Sequence, residues 1–210
     1  MIEFWSTRDV AVALDVSEDR VLQLVRSRRL VARKLGGERG DYRFHPVDVS
    51  RLRLVRDYAR QRQDSLKPDI VWVEEACRYL AKCVQRSDFD PQQVVGIAFG
   101  GILPAAFLSV FLQKPIRVLR ISHYNRRVKL PSPTVVEEYV DIPDIKTLVV
   151  DDIADSGKTL DEAQAYLDSC GIRDVKFATL HRKPSSSFVP DWYVDVVDEW
   201  VSYSWEGALG

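Results

Sequence analysis

Thr147-Leu-Val-Val-Asp-Asp-Ile-Ala-Asp-Ser-Gly-Lys-Thr159 is an apolar run that ends in two carboxylates, a third carboxylate and a small polar turn. Leu148 to Val150, bounded by polar residues, predict a short buried strand of a parallel sheet. Asp151 and Asp152 then stand at its carboxyl end, where open α/β sheets place their ligands. Leu160, Ala163, Tyr166 and Leu167 recur at helical spacing and Gly171 ends the run, so a helix opens directly after the turn. Its N-terminus, with Ser156, Gly157 and Thr159, offers backbone N–H groups and hydroxyls to an anion. Gly157-Lys158-Thr159 ends like a nucleotide-hydrolysing phosphate loop. That motif needs a glycine where this chain has Asp152, and a carboxylate there repels phosphates. An acidic first turn complementing the helix dipole accounts for one or two carboxylates, but not for three flanking a Ser-Gly-Lys-Thr turn.

With 210 residues, 46% of them hydrophobic, the chain can bury a real core in one or two domains. No charge-free apolar stretch reaches the roughly 18 residues that span a bilayer, and the N-terminus lacks a signal-peptide core, so a cytoplasmic location is expected. Cys77, Cys83 and Cys170 match no metal or redox spacing and are expected to be buried thiols in a reducing compartment. The net charge of −1 conceals an asymmetry: residues 1–66 carry 14 Lys and Arg against 10 Asp and Glu, a net of +4, and the remainder carries −5. Gln61 to Pro68 is polar and closes with proline, which suits a linker.

In the basic part, Ser6-Thr7 precede Val10, Ala13 and Leu14 and predict a capped helix, which Asp15-Val16 break. Ser17 to Arg20 begin a second, with Val21, Leu24 and Val25 inside. Two short helices on a tight turn make a helix-turn-helix, whose second helix can enter the DNA major groove. Arg28 to Lys34, Gly36-Gly37 and Tyr42-Arg43-Phe44 predict a small hairpin wing, and Pro46-Val-Asp48 starts another helix. The order from Phe4 to Leu52 resembles the excisionase and MerR-like winged helix-turn-helix family. That resemblance makes Arg20 and Gln23 candidates for base or phosphate contact, and Arg39 and Arg43 for wing contacts to the backbone. The other reading is a small helical protein-interaction domain whose arginines solvate its surface.

Asp151 to Thr159 resembles the ribose-phosphate-binding motif of type I phosphoribosyltransferases, and its Asp-Ser-Gly-Lys-Thr ending is most similar to the 6-oxopurine members. Ile70 to Pro104 resembles the first helix, first strand and Gly-Gly turn of bacterial xanthine-guanine phosphoribosyltransferases. Arg182-Lys-Pro184 and Asp191 to Trp205 resemble their base-binding hood. The resemblance implies an α/β fold: a parallel sheet flanked by helices with a small C-terminal hood, preceded by a small winged helix-turn-helix. The expected domains are 1–60, a linker 61–68, and 69–210.

The same resemblance implies phosphoribosyl pyrophosphate with Mg²⁺ as substrate or effector, and a purine base or nucleotide as partner. Asp151 and Asp152 would accept the ribose hydroxyls and help hold the metal through its ligands. The amides and hydroxyls of Ala154, Ser156, Gly157, Lys158 and Thr159 would take the 5′-phosphate. Phe99, Gly100 and Gly101 form the pyrophosphate turn, whose glycines let the backbone come close. Ser122, His123, Tyr124, Arg126 and Lys129 resemble a mobile loop that closes over the sugar. Asp155 matches the general base on the purine, Lys183 the donor to the purine 6-oxygen, and Trp200 the aromatic stacked on the base. One position departs from the pattern: bacterial xanthine-guanine enzymes carry an arginine before the two glycines, where this chain has Phe99. A purine phosphoribosyltransferase on a DNA-binding chain and a regulator sensing phosphoribosyl pyrophosphate or a purine nucleotide therefore both remain. A homo-oligomer, dimer or tetramer, is expected with double-stranded DNA.

Overall fold

The computed structural model describes residues 4–26, 30, 32–34, 41–60, 67–125, 128–135 and 142–205. It divides into two compact units, Met1–Arg62 and Gln63–Gly210.

In the first unit, Ser6 caps helix α1 (Thr7–Leu14) through a reciprocal box. Its hydroxyl accepts from the Asp9 amide at 3.2 Å, and the Asp9 carboxylate accepts from the Ser6 amide at 2.8 Å. The Ser6 side chain, and then its backbone, hold the Asp9 carboxyl below its ordinary value. Asp15 ends the helix in the left-handed region at φ 50°, and Ser17 then accepts from the Arg20 amide at the start of α2 (Glu18–Arg26). Strands β1 (Arg33–Lys34) and β2 (Tyr42–Arg43) pair antiparallel ahead of α3 (Pro46–Arg60). Val10, Leu14, Val21, Leu24, Leu30, Phe44, Val49 and Leu52 bury a core of their own.

The second unit begins with α4 (Ile70–Gln85), capped by the Asp69 carboxylate on the Trp72 amide at 2.7 Å. There follow β3 (Gln93–Ala98), α5 (Ile102–Leu112), β4 (Ile116–Asn125), β5 (Val128–Val135), β6 (Thr147–Ala154), α6 (Lys158–Ser169), β7 (Val175–Arg182) and β8 (Trp192–Val196). The sheet order is β5-β4-β3-β6-β7-β8, parallel throughout except for β5, which runs antiparallel to β4. Val95, Ile97, Leu119, Ile121, Val149 and Phe177 pack with Leu160, Ala163 and Leu167 of α6. Helices α4 and α5 pack on each other and against β7, β8, β3 and β6. Strand β4 follows β3 on one side, and β6 lies on the other. The carboxyl ends of β3 and β6 therefore meet at the point where the strand order reverses, which is where such sheets bind ligands.

Four sequence expectations need correction. The central strand does not stop at Val150: β6 runs on to Ala154, because Asp151, Ile153 and Ala154 pair with Thr179, His181 and Arg182 of β7. The segment read as a mobile loop is a hairpin arm, with Ser122, His123 and Tyr124 in β4, Lys129 in β5, and Arg126 outside the described residues. Pro131 and Pro133 argue for a loop, yet β5 is an edge strand and needs donors on one side only. Its register slips between Ser122↔Thr134 and Tyr124↔Lys129, across the two prolines. Thirdly, Trp192–Val196, assigned to the hood, is a sheet strand paired with β7.

The cysteines are the fourth correction. Cys77 is buried, Cys83 half-buried and Cys170, at the end of α6, exposed. Burial pushes the Cys77 thiol far up from its usual range. Among the described residues no helix is long and apolar enough to cross a membrane. Since the thiolate is the reactive form, a maleimide should label Cys170 first in the native protein and reach Cys77 only after denaturation. Mass spectrometry of native digests showing early labelling of Cys77 would contradict this burial.

Candidate active site

The pairing of β3 with β6 ends at Gly96↔Val150. Beyond that rung β3 turns away, and Phe99-Gly100-Gly101 lies against the acidic end of β6. The approach leaves no room for side chains: a Cβ on Gly101 would strike the Val150 carbonyl oxygen, and one on Gly100 would strike the Asp152 carboxylate. The Ala98–Phe99 peptide is cis. Asp151 and Asp152 are buried, at 7% and 6% exposure, and the Asp152 amide donates to Asp151 Oδ1 at 3.0 Å. Ionised carboxylates each cost several kcal/mol to bury. Two in succession make poor stabilisers of a strand and good receptors for hydroxyls or a cation.

Asp155-Ser156-Gly157 form the turn that follows. Ala154, expected among the phosphate-binding amides, is instead buried at the last rung of β6, and its carbonyl accepts from the Lys183 amide at 2.9 Å. Gly157 takes φ +91° as the first residue of the α6 cap, which carries no side-chain hydrogen bond. A side chain at 157 would be strained at that φ and would also meet the Phe188 amide and Ser187 hydroxyl. Lys158 and Thr159 sit in the first helical turn. The Lys158 amide donates to the Ser156 hydroxyl across a long 3.5 Å, and donors at the mouth of an α-helix suit a phosphate.

Asp155 and Lys183 come together. Lys183 Nζ lies 3.0 Å from Asp155 Oδ1 and 5.7 Å from the centroid of the Trp200 ring. Lys183 is only 17% exposed and Asp155 54%, so solvent screening leaves the pair about 0–1 kcal/mol of stabilisation at most. Trp200 is 69% exposed, so its ring is not part of the core. An acid, a lysine and an exposed aromatic ring thus converge beside the turn that opens α6.

Sequence reasoning missed two supports of this site. Ser187 donates to the Ser156 carbonyl from both its amide, at 3.1 Å, and its hydroxyl, at 2.9 Å, bracing the turn before α6. Its only sequence signal is a serine run after Lys183-Pro184. The second support is fully buried: Tyr203 Oη donates to the Asp152 carbonyl at 3.0 Å and lies 2.6 Å from His181 Nδ1. A carbonyl only accepts, so the hydroxyl proton goes there and His181 Nδ1 carries its own proton and donates. His181 also stacks on Trp72 of α4, with centroids 5.0 Å apart and planes 4° from parallel. Tyr203 in turn stacks on Trp205.

In the first unit, Arg20 and Gln23 are exposed on α2 and joined by a 2.8 Å hydrogen bond. Arg43 is half-buried, 3.8 Å from the Asp41 carboxylate, and Arg39 lies outside the described residues.

A family model for the phosphoribosyl transferase domain matches residues 52–209. The chain is 31% identical over 121 residues to the xanthine-guanine phosphoribosyltransferase of Cereibacter sphaeroides, covering 55% of this chain and 70% of that protein. It is 27% identical over 129 residues to the enzyme of the same name from Chromohalobacter salexigens, covering 60% and 75%. The crystal structure of a purine phosphoribosyltransferase from Pyrococcus horikoshii superposes with a TM-score of 0.60 at 31% identity, over 68% of this chain and 94% of that one. Fold and site define a phosphoribosyl-binding α/β protein. The chain belongs to the phosphoribosyl transferase domain family, enzymes of the glycosyl-transferring class.

Replacing Tyr203 by Phe removes both of the hydroxyl's hydrogen bonds inside the core. The variant should lose about 1–3 kcal/mol of stability, seen as a lower urea midpoint at unchanged slope. An unshifted midpoint would mean that this hydroxyl does not tie the hood to β6.

Proposed function

We propose that the second unit transfers the phosphoribosyl group of phosphoribosyl pyrophosphate to a 6-oxopurine base. The observation that carries this reading is the Asp155–Lys183 contact at 3.0 Å beneath the open face of Trp200, one residue before the phosphate turn. The base stacks on Trp200, and the Lys183 ammonium turns from Asp155 to the purine 6-oxygen, which an adenine lacks. A ring nitrogen then attacks C1′. The N–C1′ bond forms as the C1′–O bond to pyrophosphate breaks, the electron pair of that bond leaves on the pyrophosphate oxygen, and the proton of the attacking nitrogen passes to Asp155. The 5′-phosphate rests on the amides and hydroxyls of Ser156 to Thr159, and Asp151 and Asp152 accept the ribose hydroxyls.

The donor set fits Mg²⁺. Among the described residues no group of three or more ligating side chains gathers, and Mg²⁺ characteristically takes one or two carboxylates with waters and substrate oxygens. Asp151 and Asp152 would hold it, and when bound it neutralises charge on the departing pyrophosphate.

The first unit we assign to double-stranded DNA. Support comes from its net of +4 over residues 1–66, from α1 and α2 joined through Asp15, and from Arg20 and Gln23 side by side on α2. A homodimer would double the phosphate contacts and steepen their salt dependence. The exposed Phe99 at the pyrophosphate turn favours a second reading, in which the cytoplasmic chain senses its ligand and regulates through DNA without turnover.

Protein, Mg²⁺, phosphoribosyl pyrophosphate and guanine, hypoxanthine or xanthine should together release pyrophosphate. Asp155→Asn should lower turnover by about 10²–10⁴-fold while ribose 5-phosphate still binds in calorimetry. Normal turnover by that variant would remove Asp155 from the mechanism, and no release by the unaltered chain would leave the sensor. For the first unit, Arg20→Ala with Gln23→Ala should weaken retention of duplex DNA in gel shifts at low salt. A chain that retains no duplex even at 50 mM salt, on the order of the low end used for such comparisons, would end the DNA assignment.

A further inference from the structure

The pyrophosphate turn carries a neutral side chain where a polyanionic leaving group must be held against the neighbouring Asp152 carboxylate, which Gly100 approaches. A cation does stand there, supplied by another strand. Ala98 and Arg120 are register partners on β3 and β4. Leu119 and Ile121 point into the core, so the alternation of the strand sends Arg120 out on the face that Phe99 occupies. The Arg120 guanidinium carbon lies 5.4 Å from the centroid of the Phe99 ring, and both side chains are exposed.

We propose that Arg120 supplies the cation of the pyrophosphate subsite, with Phe99 as the platform that holds it beside Gly100 and Gly101. This inference rests on the reading of the unit as a phosphoribosyl pyrophosphate site. The physical argument is the geometry of the guanidinium. Contact with an aromatic ring engages the face of the group, whereas its five N–H donors lie in its plane and point outward. An arginine lying over the Phe99 ring keeps its full charge, and its planar group has the geometry to match two phosphate oxygens. The ring thereby does more than replace an arginine: it orders one that arrives from β4, at lower conformational cost than a long side chain free in solvent. The C1′–O bond breaks with its electron pair on the leaving oxygen, so charge grows on the pyrophosphate as the bond opens, and a fixed guanidinium there stabilises the transition state more than the bound substrate.

The test uses the full chain, with Mg²⁺ and inorganic pyrophosphate as one titrant and ribose 5-phosphate as the other, followed by calorimetry. Arg120→Ala should weaken pyrophosphate binding about tenfold or more and leave ribose 5-phosphate unchanged, which also certifies the fold. Arg120→Lys should fall between, because the charge stays and the planar fork is lost. Adding Phe99→Arg to Arg120→Ala should restore pyrophosphate affinity by returning the cation through the turn. Arg120→Ala binding pyrophosphate as tightly as the native chain would overturn the inference while leaving the proposed function intact. A native chain that binds neither ribose 5-phosphate nor phosphoribosyl pyrophosphate would instead overturn the function, and this assignment with it.

Discussion

The site depends on one close approach, that of the Phe99-Gly100-Gly101 turn to the end of β6. Parallel pairing of β3 and β6 sets the distance: their ladder ends at Gly96↔Val150, and the next residues of each strand have nowhere to go but apart or into contact. Here they go into contact, with Gly101 against the Val150 carbonyl and Gly100 against the Asp152 carboxylate. A Cβ at Gly101 would pry the turn off the strand, and one at Gly100 would displace the Asp152 carboxylate. The two subsites proposed for one substrate would thus be held in register by backbone packing, which is stiffer than any side-chain contact on the surface.

The central part of the fold was legible in the sequence because its signals are local. Val94 to Ala98 and Ile102 to Leu112 are apolar runs of strand and helix length, and the Asp151 to Thr159 run leads into a helix that ends at Gly171. The hairpin arm was not legible, since Pro131 and Pro133 are local signals for a loop and only the position of β5 at the sheet edge makes them acceptable. The overrun of β6 through its aspartates had the same cause. Charged residues end a strand in a sequence reading, but pairing with Thr179 to Arg182 of β7 carries the backbone four residues further. What failed in each case was information held by a partner far away in the chain.

The site divides along the same line. Asp151, Asp152, Asp155 and the phosphate turn are contiguous and could be named from the motif, whereas Ser187, His181 and Tyr203 act across 22 to 51 residues of sequence. Their role is to join segments. Tyr203 ties the chain just beyond Trp200 to the carbonyl of Asp152, and His181 ties that tyrosine to Trp72 of α4. On the proposed assignment, a purine on Trp200 would be positioned by the same buried hydroxyl that fixes the backbone of Asp152. Base and sugar would then be located by one hydrogen-bonded unit and not by the exposed Trp200 side chain alone.

The exposed Phe99 then takes on a different meaning. Considered alone along the chain, a phenylalanine before Gly100-Gly101 subtracts a positive charge from the place where a leaving group gathers negative charge. Considered across the sheet, it is the neighbour of Arg120 through the Ala98↔Arg120 rung, and the guanidinium sits over its ring. On the proposed assignment the charge keeps its place in space while its position in sequence lies twenty-one residues further on, on a strand and not in the turn. A strand is the more rigid mount, because Leu119 and Ile121 on either side of Arg120 are anchored in the core. Loss of the arginine from the turn is for that reason no argument by itself against turnover. What decides between enzyme and sensor is whether the cation on β4 follows the charge as the C1′–O bond opens.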